Sequence, residues 1–205
     1  MIIPQHILDR GDYKACADFH GHVCMGLTLG YMAAKLGLQH LAEKRAADEE
    51  LICIAETDAC GCDAIQVLTG CTFGKGNFIY RDIGKMAFTL ASRTSGAGVR
   101  LAMKQGVMTP PAAEQQLLEK IRSGSASKED IKSYERMEEE RSQALFNGGP
   151  EAFFTVEEVT ISLPQKARMA LSKICDNCRE PVMQTKLQVA AGKQLCRDCL
   201  AQVLG

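Results

Sequence analysis

Near the C-terminus, Cys175-Asp-Asn-Cys178 is followed after seventeen residues by Cys196-Arg-Asp-Cys199. Each Cys-x-x-Cys pair offers two thiolates that can grip one side of a tetrahedral zinc ion at about 2.3 Å per bond, and two such pairs complete its shell. The spacing predicts a structural four-thiolate zinc site at Cys175, Cys178, Cys196 and Cys199. A segment this short cannot bury enough apolar surface to fold unaided, so metal binding, on the order of 10–16 kcal/mol in comparable peptides, would supply the missing stability. Between the pairs, residues 182–187 and 188–194 read as the arms of a hairpin, and the residues after Cys199 continue as a short helix. Knuckle, hairpin and helix in that order make a treble-clef-like zinc finger.

A second cluster lies near the N-terminus, where His20-Gly-His22-Val-Cys24 packs three metal-ligand types into five residues of a chain with four histidines. If the segment is extended, residues 20, 22 and 24 share a face; if it is helical, His20 and Cys24 do and His22 points elsewhere. Either geometry joins at least two donors, and a thiolate at a helix start is favoured by the positive end of the dipole. Further ligands come best from the turn Glu56-Thr-Asp-Ala-Cys60-Gly-Cys62-Asp63, Cys60 first. Three protein ligands would leave a position for water or substrate, as in catalytic zinc, with Asp63 as the candidate proton acceptor.

The run Gly70-Cys-Thr-Phe-Gly-Lys75-Gly-Asn77 has a glycine spacing one short of a phosphate loop, and Gly76 rather than Ser or Thr follows its lysine, which excludes a Walker motif. Lys75 is either a cation brought towards the cluster to hold an anion or a surface lysine in a tight turn.

These groups need a scaffold. Leu27, Tyr31, Ala34 and Leu38 recur at helical spacing and predict a buried helix over 24–39. Residues 51–55 read as a core strand and 63–68 as a short helix ending at Gly70, which puts Cys60 and Cys62 at a strand-to-helix turn. Residues 77–82, 85–93 and 98–104 read as successive strands. Pro110 and Pro111 open a helix to about Arg122, Ser127-Lys-Glu-Asp130 caps another ending at Gly148, and 153–163 alternates as a last strand. The fold class expected is α+β: a mostly antiparallel sheet packed with helices, plus the finger.

The 205 residues carry 24 basic and 25 acidic side chains, and 46% hydrophobic residues, the composition of a folded chain without bulk attraction to nucleic acid or membrane. No apolar run approaches the roughly 18–20 residues of a membrane span, and the N-terminus does not read as a secretory signal. A cytoplasmic location is expected, where ten cysteines serve metal or thiol chemistry rather than disulfides. Residues 165–205 hold seven basic and three acidic residues, +4, leaving −5 for residues 1–164, and the domain boundary is placed between these spans. The basic set, Lys166, Arg168, Lys173, Arg179, Lys186, Lys193 and Arg197, is either a solvated surface or a nucleic-acid contact.

The run from Phe19 to Tyr31, with His20, His22 and Cys24, followed by Thr57-Asp-Ala-Cys60-Gly-Cys-Asp and on to Asn77, resembles the FmdE family, named for its association with formylmethanofuran dehydrogenase. Some members of that family also carry a C-terminal zinc finger. The resemblance implies an α+β core that dimerises and holds a metal, commonly zinc, on His20, His22, Cys24 and Cys60, lined by Asp63, Gln66, Thr72, Lys75 and Asn77. Met25 stands where the family often has proline, and Cys62 adds a thiol beside Cys60. The implied function is a zinc-binding or sensing module linked to one-carbon or molybdenum/tungsten-enzyme metabolism, partnered by such a dehydrogenase or, through the finger, by nucleic acid. The alternative is a metal-dependent enzyme, or a component of one, acting on a small carbonyl compound at an open core zinc site, with Asp63 and Lys75 as catalytic residues.

Overall fold

The periodicities become real elements in two units, residues 1–166 and 167–205. The structure is a computed structural model that describes residues 3, 5–166 and 170–204. In the first unit, helices α1 (Gln5–Leu8), α2 (Gly11–His20) and α3 (Met25–His40) precede strand β1 (Leu51–Ala55). Helix α4 (Gly61–Thr69) leads to β2 (Phe78–Tyr80), β3 (Ala87–Ser92) and β4 (Gly98–Met103). Helices α5 (Ala112–Arg122) and α6 (Lys128–Asn147) then precede β5 (Phe154–Val159).

The strands form one sheet in the order β2-β1-β3-β4-β5. Only β1 and β2 run parallel, joined by a crossover through α4; the other neighbours are antiparallel. Every residue of β1 and β3 is buried, so these central strands read as continuous apolar runs instead of alternating ones. Leu51, Cys53, Phe88, Leu90 and Leu101 on one sheet face join Leu27, Leu36 and Ile65 of α3 and α4 in a single core cluster. Glu56, just past β1, receives both prongs of the Arg100 guanidinium at 2.7 and 2.9 Å across β3. That bond holds the Glu56 carboxyl below its ordinary range.

The C-terminal helices follow their caps. Ser127 accepts the Asp130 N–H at 3.0 Å while Asp130 accepts the Ser127 N–H at 3.0 Å, a capping box that starts α6. The last strand is shorter than the alternation at 153–163 suggests, because β4 offers partners only as far as Val159.

Helix α2 was not expected from the sequence. It has no side-chain N-cap and a polar exposed face, yet Tyr13 and Cys16 are fully buried. The Tyr13 hydroxyl shares a 2.8 Å hydrogen bond with Thr28, and the Tyr13 and Tyr31 rings meet edge to face at 5.0 Å. Tertiary contacts with α3, not local propensity, therefore make this helix.

The second unit holds β6 (Ser172–Ile174), β7 (Pro181–Met183), β8 (Gln188–Ala190), β9 (Lys193–Leu195) and α7 (Arg197–Leu204). Its pairing corrects the single expected hairpin: residues 181–183 pair backwards with β6, and β8 pairs with β9. Arg179 at φ 66° closes the first turn and Gly192 at φ 76° the second. Asp176 bonds the backbone of Gln194 in both directions, its N–H donating at 2.9 Å and its carboxylate accepting at 2.6 Å, which locks the hairpins together. Arg168, among the basic residues noted above, lies outside the described residues. Among the described residues no helix is long and apolar enough to cross a membrane.

Candidate metal centre

Three helix ends converge in the first unit. His20 is the last residue of α2, Cys24 is the N-cap of α3 and Cys60 the N-cap of α4. Gly21, at φ 89°, ends α2 in the left-handed region and turns the chain towards α3. Helices α3 and α4 cross at Gly30 and Gly61, where a Cβ on Gly30 would stand 2.3 Å from the Gly61 carbonyl oxygen. This close approach sets the N-terminus of α4 beside that of α3.

The ligating atoms of His20, Cys24 and Cys60 all lie within 4.8 Å of one another, and all three residues are partly exposed. His20 Nε2 stands 3.8 Å from Cys24 Sγ. Two ligands of one tetrahedral zinc, at about 2.0 and 2.3 Å, would stand about 3.6 Å apart, so the pair is close to coordination geometry without any rearrangement. Asp63, in the first turn of α4, places Oδ2 at 2.6 Å from His20 Nδ1. A carboxylate only accepts, so Nδ1 carries the proton and Nε2 keeps its lone pair for a metal. The N–H of Leu27 donates to Cys24 Sγ at 3.4 Å, and the positive ends of α3 and α4 favour thiolates at both cysteines. Burial, together with the neighbouring Cys24 thiol, raises the Cys60 thiol; a cation between them relieves that repulsion.

His22 is not brought into this donor group. Its ring is exposed and stacks on His20 with centroids 4.4 Å apart, because the chain is helical up to His20 and helical again from Met25. Cys62 turns the other way: its buried thiol donates to the Thr57 carbonyl at 3.1 Å, and burial pushes it up to about 12. Burial also lifts Cys16 to about 12 and Cys71 to about 11, which makes them packed neutral thiols.

The glycine-rich loop after α4 spends its polar groups on the segment before β1. The Lys75 ammonium donates to the Asp48 carbonyl at 2.7 Å, and buried Asn77 donates to the carbonyls of Asp48 and Leu51 at 3.2 and 2.9 Å. The Asn77 side-chain carbonyl accepts the Thr72 N–H at 2.9 Å, and Gln66 accepts the Phe73 N–H at 3.1 Å. These residues shape the loop against the sheet.

In the second unit the four sulfurs of Cys175, Cys178, Cys196 and Cys199 also lie within 4.8 Å of one another. The Cys178 and Cys196 sulfurs are 3.9 Å apart, against about 3.8 Å for the edge of a tetrahedral zinc–thiolate site. Backbone N–H groups, first that of Cys196, donate to the Cys175 sulfur and draw its thiol down to about 6. The donor set and its geometry fit structural zinc in a treble-clef arrangement.

Comparison with known proteins places both clusters in context. Residues 19–155 match the family model described as FmdE, Molybdenum formylmethanofuran dehydrogenase operon, and residues 171–202 match the Prokaryotic dksA/traR C4-type zinc finger. A curated relative, the "Probable S-adenosyl-L-methionine-binding protein" of Archaeoglobus fulgidus, is 31% identical over 205 residues, 96% of this chain and 54% of that protein. The chain thus spans about half the length of the curated relative it matches. A crystal structure of an FmdE-like protein of tungsten formylmethanofuran dehydrogenase, from Syntrophus aciditrophicus, is similar with a TM-score of 0.60 at 25% identity, covering 96% of this chain and 95% of that one.

Proposed function

This chain belongs to the FmdE family, and from that premise we propose that its core is a metal-binding module serving one-carbon or molybdenum/tungsten-enzyme metabolism. His20, Cys24 and Cys60 would hold one divalent ion, zinc by donor chemistry, while the C-terminal cysteines hold structural zinc. The observation that carries this reading is the convergence of three donor atoms within 4.8 Å, with Asp63 fixing the His20 tautomer. A cytoplasmic homodimer that docks on such a dehydrogenase is the assembly that fits the family, with the finger as the element free to meet a protein or nucleic-acid partner.

The second reading is an enzyme acting on a small carbonyl compound. It is supported by the partial exposure of all three donors, which leaves a fourth position for an exchangeable ligand. In that reading the metal supplies Lewis acidity and a bound water of lowered pKa. Asp63, held on His20, is a positioning residue rather than a free base.

Cobalt(II) substitution tests the proposal. The reconstituted chain should show thiolate-to-cobalt charge transfer from two sites, and Cys24→Ser should remove one contribution while leaving the four-sulfur spectrum. Identical spectra for the two proteins would overturn the core assignment. Titration with S-adenosyl-L-methionine, the ligand in the relative's name, should give no saturable heat; saturable binding would move the reading towards that ligand.

A further inference from the structure

A cleft of about 720 Å³ opens among α2, α3 and α4, within one residue of His20 along α2 but made by side chains other than the metal donors. Its walls include Phe19, Leu38, Val67 and Leu68. Phe19 leaves 61% of its surface exposed there, and large exposed aromatics beside an apolar concavity mark binding surfaces more often than they mark a solvated face.

The charges around the cleft are unequal in what they have left to give. Asp12 accepts from the Lys35 ammonium at 2.9 Å, the Tyr31 hydroxyl at 3.1 Å and the Tyr13 N–H at 2.8 Å, so acid and base at that end satisfy each other. Arg45 differs: its Nε donates to the Val67 carbonyl at 2.9 Å, which fixes the guanidinium at the cleft wall. Among the described residues no carboxylate forms an ion pair with it. A guanidinium held by one prong keeps its terminal NH₂ groups for an anion, and its planar fork suits a carboxylate.

We propose that this cleft binds a small amphipathic organic acid, its apolar body against Phe19, Leu38 and Val67 and its carboxylate on Arg45. The site is separate in its residues from the metal cluster, and its occupancy does not require the metal reading to hold.

The test uses the full chain and three probes: 4-phenylbutyrate, its uncharged amide, and acetate. Backbone amide shifts in ¹H–¹⁵N spectra are followed through each titration. The acid should saturate with a Kd on the order of 1 mM, as expected of a ligand of about a dozen heavy atoms, and shift residues around 15–19, 38 and 66–68. The amide should bind several-fold more weakly and acetate should not saturate. Arg45→Gln should erase the difference between acid and amide, and Phe19→Ala should weaken both; each side chain is exposed, so neither change threatens the fold. Equal binding of acid and amide to the unaltered chain, or shifts confined to other surfaces, would overturn the proposal. So would absence of binding at about 10 mM acid. A cleft covered by a second copy would appear as that last result together with a dimer, by sedimentation, that Phe19→Ala dissociates.

Discussion

At the scale of single residues, the core site depends on a division of labour among groups that look alike in the sequence. Cys60 and Cys62 are two positions apart, yet one faces the cluster and the other donates its S–H to Thr57. His20 and His22 divide the same way. The types and their neighbourhood were legible in the sequence, but the choice within each pair was not, because it depends on where α2 stops and α3 starts. Asp63 was legible as a carboxylate near the cluster; its bond to His20, 43 positions away, was not. That bond yields a prediction. Asp63→Asn can orient the ring but no longer favours its basic tautomer, so core metal affinity should fall about 10–100-fold. Competition with a zinc-selective chelator would resolve the weakened site from the unaffected four-sulfur site; equal affinities in both proteins would remove Asp63 from the account.

At the scale of elements, the site is a product of how α3 and α4 cross. Gly30→Ala would push a methyl group to 2.3 Å from the Gly61 carbonyl oxygen and 2.4 Å from its Cα, both backbone atoms that cannot swing aside. Overpacking of this kind costs roughly 1–3 kcal/mol. Chemical denaturation should show that loss, and the same variant should bind the core metal more weakly, since Cys60 moves with α4. The helices at 24–39 and 63–68, the central strands and the Ser127 cap were readable because local signals and packing agree there. Helix α2 was not, since its stability comes from Tyr13 and Cys16 packing under α3. The finger's strand pairing escaped for a related reason. Three-residue strands carry almost no periodic signal, and the metal-bound knuckle sets their partners.

At the scale of the whole molecule, two units with separate cores and separate donor clusters answer differently to acid and to metal removal. Glu56 is held below its ordinary value of 4.5, first by its hydrogen bonds from Arg100. Its contribution is therefore fully present above pH 4.5 and is lost as pH falls through the depressed folded value. For a pair at the sheet surface that contribution is on the order of 1 kcal/mol. Glu56→Gln should lower stability by that amount near neutrality and flatten the acid limb below pH 4.5, a difference visible in thermal melts across pH. The finger should fail by another route, since protons compete with zinc for its thiolates. Chelation at neutral pH should unfold residues 171–202 and spare the sheet, as amide exchange would show.

The central claim, that this chain carries two distinct metal centres, is tested most directly by elemental analysis of the purified protein beside its Cys24→Ser variant. The account predicts about two zinc ions per chain, one for each donor cluster, falling to about one in the variant with the fold retained. One zinc in both proteins would contradict it and leave His20, Cys24 and Cys60 as a polar cluster without a metal.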